Sequence, residues 1–133
     1  VTRIAALTQP DLFFRPAAEV AAVNWLRENV PDTAVILGSY QTGNIVAAQA
    51  GRRVMLGHWA ETLDFAGKET AVNRFFSGSA SDAWRQALLR EFGIEYVWFG
   101  PREQALGSFD PATASYLTSV YQNKSIVIYL VLP

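Results

Sequence analysis

The stretch Ala34-Val35-Ile36-Leu37-Gly38 (AVILG) is a continuous apolar run of strand length that ends in a turn residue. Such a run fits a β-strand that is buried on both faces of a parallel sheet. On its N-terminal side, apolar residues recur at helical spacing at Ala18, Ala21, Ala22, Trp25 and Leu26. This spacing predicts an amphipathic helix that ends near Asn29, before the helix-stopping pair Pro31-Asp32.

Further strands and helices alternate along the rest of the chain. Strands are predicted for residues 52–57, 94–99 and 125–132, and a short edge strand or apolar plug for residues 12–14. Helices are predicted for residues 45–50, 63–76 and 82–92, with Ser81 or Asp82 as the N-cap of the third. Gly51 and Gly93 are expected to end two of these helices. A last short helix is predicted from Phe109, with Tyr116, Leu117 and Val120 in it.

This alternation favours the α/β class. We expect a three-layer, Rossmann-like open sheet of about four mostly parallel strands with flanking helices, in which the last strands can form an antiparallel edge. The length of 133 residues suits a single domain, residues 1–133, because one hydrophobic core typically serves about 100–150 residues. We find no internal repeat or linker that would divide it.

Composition excludes several classes of protein. Half of the residues are hydrophobic and 17% are charged, which excludes disorder as the main state. The net charge of −1 argues against a nucleic-acid partner, because neutralising phosphates needs clustered Lys and Arg. The chain has no cysteine, so disulfides and thiolate metal sites are excluded, and no run is apolar enough to span a membrane. No cofactor motif is present.

Polar loops follow three of the predicted strands. In open α/β sheets ligands bind beyond the carboxyl ends of the strands, so we expect these loops to lie on one edge. The candidate ligand-binding residues in them are Ser39, Gln41, Thr42, Asn44, His58, Trp59, Glu61, Asp64, Arg102 and Glu103.

The second loop contains the only histidine, His58, close to Glu61 and Asp64. A histidine beside two carboxylates can bind a metal or act as a general base. Alternatively, His58 hydrogen-bonds a carboxylate and Trp59 packs in the core. The second interpretation is favoured, because a metal site usually needs three protein ligands of suitable geometry. We therefore assign neither a metal site nor a catalytic residue.

The other two loops allow weaker hypotheses. The first lies between a strand and a helix, as a phosphate-binding loop does, but it lacks the glycine pattern and the lysine of nucleotide sites. Its simpler interpretation is a helix cap by Thr42 or Asn44, with Gly43 at positive φ. In the third loop, Arg102 could bind an anion, although an ion pair within the loop or with Glu61 or Asp64 is favoured.

Several segments resemble membrane proteins that transfer sugars. The segments Trp25 to Leu37, Thr42-Gly43-Asn44 and Gly51-Arg52-Arg53-Val54 resemble the soluble tail of multi-span membrane glycosyltransferases. Those from Gly57 to Thr62, Gly93 to Val97 and Gly100 to Glu103 are similar to tails of bacterial proteins of the dolichyl-phosphate-mannose–protein mannosyltransferase-like family. More distantly, residues 16–132 resemble the soluble domain of oligosaccharyltransferase catalytic subunits.

The resemblance implies that the catalytic residues and this chain lie in different parts of the same protein. In such proteins the carboxylates for sugar transfer lie on a loop between early membrane helices, outside this chain, and the substrate is a lipid-phosphate-linked sugar. The tail faces away from the cytoplasm. In oligosaccharyltransferases a Trp-Trp-Asp motif in this tail holds the acceptor peptide. The corresponding residues here, 39–43, contain neither tryptophan nor aspartate. The resemblance therefore transfers no catalytic residue.

We therefore carry three hypotheses. The leading one is a non-catalytic, extracytoplasmic domain of an integral membrane glycosyltransferase-like protein, which assists acceptor binding or shapes the active site. Its partner would be the membrane-embedded remainder of the same chain, and a start at Val1, without methionine, fits a piece of a larger protein. The second is a free-standing binder of a small anionic or sugar ligand at the loop edge. The third is a metal-assisted hydrolase centred on His58, Glu61 and Asp64.

Overall fold

The computed structural model describes residues 17–57 and 64–133. The helices in them are α1 (Ala17–Asn29), α2 (Tyr40–Ile45), α3 (Phe65–Phe76), α4 (Asp82–Glu91) and α5 (Pro101–Gln104). The strands are β1 (Val35–Leu37), β2 (Arg53–Val54), β3 (Ile94–Phe99), β4 (Leu117–Gln122) and β5 (Val127–Val131). A π-helical turn, Val46–Ala50, continues α2, and a 3₁₀ turn, Pro111–Thr113, precedes β4. The strand or plug predicted for residues 12–14 lies outside the described residues.

The five strands form one mixed sheet in the order β2-β1-β3-β5-β4. β1 runs parallel to both β2 and β3, as expected for strands joined by helical crossovers. β5 is antiparallel to β3, and β4 is antiparallel to β5. The prediction of an α/β sheet with flanking helices is thus correct, but its mostly parallel, Rossmann-like character holds for only one half.

Alternate residues of the strands serve two separate cores. Leu37, Val97 and Tyr129 pack with α3 and α4 on one face of the sheet. Ile36, Trp98 and Ile128 pack with α1 and the Val46–Ala50 turn on the other face. Period-two alternation of this kind is what a sheet covered by helices on both sides requires. None of the helices in residues 17–57 and 64–133 combines the length and the apolar character that crossing a bilayer would need.

Local sequence signals set most of the helix ends. Gly51 and Gly93 both have positive φ, at 66° and 61°, and follow the ends of their helices as predicted. The Ser81 hydroxyl accepts a hydrogen bond from the Trp84 N–H, which makes Ser81, and not Asp82, the N-cap of α4.

The first predicted loop is mostly helical. α2 begins at Tyr40 and not at Ile45, because the Ser39 hydroxyl caps it by accepting from the Thr42 N–H at 3.4 Å. The expected cap by Thr42 or Asn44 is therefore wrong. The positive φ expected for Gly43 is also wrong, since Gly43 lies inside α2.

The last predicted helix is also wrong, because Leu117 and Val120 lie in strand β4. Asp110 caps only the single turn Pro111–Thr113, which Ala114 ends in an extended conformation. The segment Leu-Thr-Ser-Val-Tyr-Gln is rich in β-branched and aromatic residues, which favour strands. The spacing of Tyr116, Leu117 and Val120 fits a helix only over one turn, and pairing with β5 overrides it.

Tyr116 makes the stability of the fold sensitive to alkaline pH. Its hydroxyl donates to Asp82 Oδ1 at 2.9 Å, and burial first, then Asp82, raises the pKa of Tyr116 above its ordinary value of 10.0. The unfolded chain releases this proton at lower pH than the folded protein does. The stabilisation is therefore complete below pH 10.0 and declines as the pH rises further.

We expect Tyr116→Phe to make this alkaline decline shallower, as measured by urea unfolding at a series of pH values. Part of the decline should remain, because burial also raises the pKa of Tyr129. A Tyr116→Phe protein whose stability falls as steeply as that of the unaltered protein would contradict the assignment.

Candidate functional site

Two of the three predicted loops meet at the carboxylate of Glu103, which is only 1% exposed. Glu103 Oε2 accepts hydrogen bonds from the Ser39 N–H at 2.8 Å and the Thr42 hydroxyl at 2.6 Å. Glu103 Oε1 accepts from the Gly100 N–H at 2.9 Å. We call these four residues the Glu103 cluster. The cluster joins the carboxyl ends of β1 and β3, which are parallel neighbours.

Local sequence explains each side of the cluster. Glu103 is the third residue of α5, from where a glutamate side chain reaches back to the N–H that precedes the helix, here that of Gly100. Ser39 caps α2, and its hydroxyl also donates to Thr42 Oγ1 at 3.2 Å. The two helix starts are adjacent because β1 and β3 are adjacent, and one carboxylate then satisfies donors from both.

Gly43 brings the end of β2 close to the same edge. A Cβ atom at this position would lie 1.7 Å from the carbonyl oxygen of Leu56 and 3.1 Å from Gly57 Cα. Only glycine allows α2 to approach the backbone of the second predicted loop this closely. The start of that loop is therefore beside α2.

Arg102 has a partner that the sequence analysis missed. Its Nη1 donates to Glu19 Oε1 at 2.6 Å, and its Nε donates to Gln41 Oε1 at 3.0 Å. The predicted pairing with Glu103 or Asp64 is wrong, because the Glu103 oxygens accept from other donors and Glu19 lies closer. Glu19 is in the first turn of α1, which packs on this face of the sheet. Its separation of 83 positions from Arg102 leaves no sequence signal.

The remaining candidates do not join the cluster. Asn44 Oδ1 is buried and has no hydrogen-bond partner among the described residues. Asp64 has a left-handed backbone, with φ of 52°, and borders a groove between α3 and α4. His58, Trp59 and Glu61 lie outside the described residues.

Metal binding at the second loop stays a prediction. Within residues 17–57 and 64–133 no three acidic or histidine side chains are close enough to share a metal ion. Of the three side chains in that hypothesis, only Asp64 belongs to this part of the chain.

The Glu103 cluster has a structural role. Its carboxylate is buried and accepts three hydrogen bonds, so it holds two helix starts in a fixed relation. The side chain is 1% exposed, and each of its oxygens already accepts from donors of the protein itself. The Arg102–Glu19 pair is more open, with the Arg102 side chain 29% exposed.

Comparison with known proteins gives a fold but no family. No protein-family model and no curated protein sequence matches the chain. Among solved structures, the chain is similar to the C-terminal globular domain of an oligosaccharyltransferase from Archaeoglobus fulgidus, with a TM-score of 0.64 and 14% sequence identity. The match covers 88% of this chain and 98% of that domain. The chain therefore has the fold of an oligosaccharyltransferase C-terminal globular domain.

Proposed function

We propose that this chain is a non-catalytic, extracytoplasmic domain of an integral membrane glycosyltransferase-like protein. The observation that carries the proposal is the fold that it shares with the archaeal oligosaccharyltransferase domain. The reaction would be transfer of a sugar from a lipid phosphate, performed by the membrane-embedded remainder of the same chain. The nearer relatives would be bacterial proteins resembling the dolichyl-phosphate-mannose–protein mannosyltransferases.

The segment that carries much of the sequence resemblance lies in the core of the fold. The segment from Trp25 to Leu37 forms the end of α1, the turn and β1. In it, Leu26, Val30 and Leu37 are buried and build the core.

The role proposed for the domain follows from its rigid edge. The Glu103 cluster fixes α2 against the β3–α5 turn, so the edge presents polar groups in a constant arrangement. Such an edge suits a domain that shapes a neighbouring active site or seats an acceptor. Because residues 39–43 lack tryptophan and aspartate, we do not extend the peptide-binding role of the Trp-Trp-Asp motif to this chain.

The complete reading frame of the gene tests the proposal most directly. We expect several apolar spans before Val1, with acidic residues in the first loop between them. A reading frame that encodes no such spans would exclude the proposal.

Experiments on the full-length protein test which side of the membrane the domain faces. They also test whether sugar transfer depends on the membrane-embedded part. In right-side-out vesicles, external protease should digest residues 1–133, whereas in inverted vesicles they should be protected. Replacing the acidic residues of the first membrane loop should abolish transfer from a lipid-linked sugar. The conservative control Glu95→Gln, at an exposed position of β3 outside the candidate ligand-binding loops, should leave transfer near its normal rate.

A further inference from the structure

A cavity of about 250 Å³ opens beside the Glu103 cluster. It lies between the first turn of α1, the β3–α5 turn and the residues that precede β5. Its lining includes Glu19, Trp98, Pro101, Arg102, Ser125 and Ile126. We call it the Trp98 cavity. Its volume is below the roughly 300–1,000 Å³ of pockets for drug-sized ligands, so it suits one small molecule.

The indole of Trp98 gives this cavity an unused donor. Trp98 is 1% exposed, and no residue in the described part of the chain accepts a hydrogen bond from its N–H. The indole nitrogen is not among the described side-chain atoms that are sealed from solvent without a partner, so the N–H faces the open space of the cavity. A ligand in the cavity can therefore supply the acceptor that this N–H lacks.

Gly100 keeps the space beside the indole open. A Cβ atom at Gly100 would lie 3.3 Å from Trp98 Nε1, 3.1 Å from Ile126 Cγ1 and 3.5 Å from Glu103 Oε1. All three of these residues line the cavity, so a methyl group there would narrow the space between them. The Gly100 backbone is extended, at φ −132° and ψ −165°, so alanine can adopt it without strain.

The charges around the cavity disfavour an anion. Arg102 is the cation among the described lining residues, and the Glu19 carboxylate already neutralises it at 2.6 Å. Glu103 adds a second negative charge close by. An anion would have to displace Glu19 or accept this repulsion, whereas a neutral ligand can use the pair as it stands.

We propose that the Trp98 cavity binds a small neutral polyol, of the size of one sugar ring. Hydroxyl groups both donate and accept, so one can accept from the indole N–H and another can bond to the Ser125 hydroxyl. Pro101 and Ile126 supply an apolar wall for the C–H face of such a ligand. The proposal rests on this cavity alone and does not depend on a membrane-bound parent protein.

Nuclear magnetic resonance of the indole N–H groups tests the proposal. The chain has four tryptophans, and Trp98→Phe identifies which indole cross-peak belongs to Trp98. The probes are methyl α-D-mannopyranoside and myo-inositol as neutral polyols, and inorganic phosphate at equal ionic strength as the anion. We expect at least one neutral probe to shift the Trp98 peak in a saturable way. No saturable shift with either polyol, or one with phosphate alone, would overturn the proposal.

Two variants test whether the shift of the Trp98 peak reports binding in the Trp98 cavity. Gly100→Ala should weaken polyol binding by at least about tenfold, since the new methyl group narrows the space beside the indole. The matched control is Gly67→Ala in α3, where the new methyl group meets only the flexible Asp64 side chain, and it should bind normally. If Gly100→Ala does not fold, Ser125→Ala serves instead and should weaken binding about two- to fivefold. Normal binding by the cavity variant, or equal loss in Gly67→Ala, would contradict the assignment.

Discussion

Replacing Glu103 with alanine is expected to lower the free energy of unfolding by about 3–5 kcal/mol. The substitution removes the acceptor for three donors at once, the N–H groups of Ser39 and Gly100 and the hydroxyl of Thr42. Each buried donor left without a partner costs about 1–3 kcal/mol. Loss of the charge also removes the cost of burying a carboxylate, which keeps the total below a simple sum.

Two further variants separate the hydrogen bonds from the bulk of the side chain. Glu103→Gln keeps the shape but turns an amide donor toward N–H or O–H groups, so it should cost about 1–3 kcal/mol. Glu95→Ala is the control, because Glu95 is an exposed glutamate on β3, and it should change stability by less than about 0.5 kcal/mol. Urea unfolding gives all three values. Equal stability of Glu103→Ala and Glu95→Ala would show that the cluster contributes nothing.

Hydrogen exchange should place the effect of Glu103→Ala at the cluster. The amides of Ser39 and Gly100 donate to the carboxylate, so both should exchange faster in the variant. The amide of Val97, in the middle of the sheet, serves as the internal reference. A uniform acceleration at all amides would instead indicate global destabilisation without a local role for Glu103.

The elements that the sequence predicts correctly are those that local chemistry decides. The apolar run before Gly38 becomes β1, because four apolar residues in succession can be buried only between two helical layers. Gly51 and Gly93 end their helices at positive φ, a conformation that glycine adopts without steric cost. The helix predicted for residues 117–122 is wrong because the spacing of their apolar side chains fits both a short helix and a strand. Only pairing with the partner strand β5 decides between the two.

The candidate site was predictable only as a set of loops. The rule that ligands bind at the carboxyl ends of parallel strands selects both Ser39 and Glu103. Which atoms meet is not a local property: Glu103 and Thr42 are 61 positions apart, and Arg102 and Glu19 are 83 apart. The role proposed for Trp98 has no sequence signal either, because its ring packs in the core and only its N–H faces the cavity.

The second large effect is expected at Arg85, whose replacement with alanine should lower the free energy of unfolding by about 3–5 kcal/mol. Arg85 is 4% exposed and donates to the carbonyl oxygens of Phe75 and Ser77 at the end of α3. Its guanidinium also lies 3.8 Å from the ring centroid of Phe109. Without it, helix-end carbonyls lose their donors and the aromatic ring loses its cation.

Comparison of Arg85 variants separates charge from geometry. Arg85→Lys keeps the positive charge but loses the planar fork and the stacking surface, so it should recover less than half of the stability lost in Arg85→Ala. Arg90→Ala removes an exposed arginine from the same helix and should cost less than about 0.5 kcal/mol. If Arg85→Lys were as stable as the unaltered protein, charge alone would suffice. The planar contacts to Phe109 and to the end of α3 would then be incidental, and the positive charge at the end of α3 would be what stabilises the packing of α4.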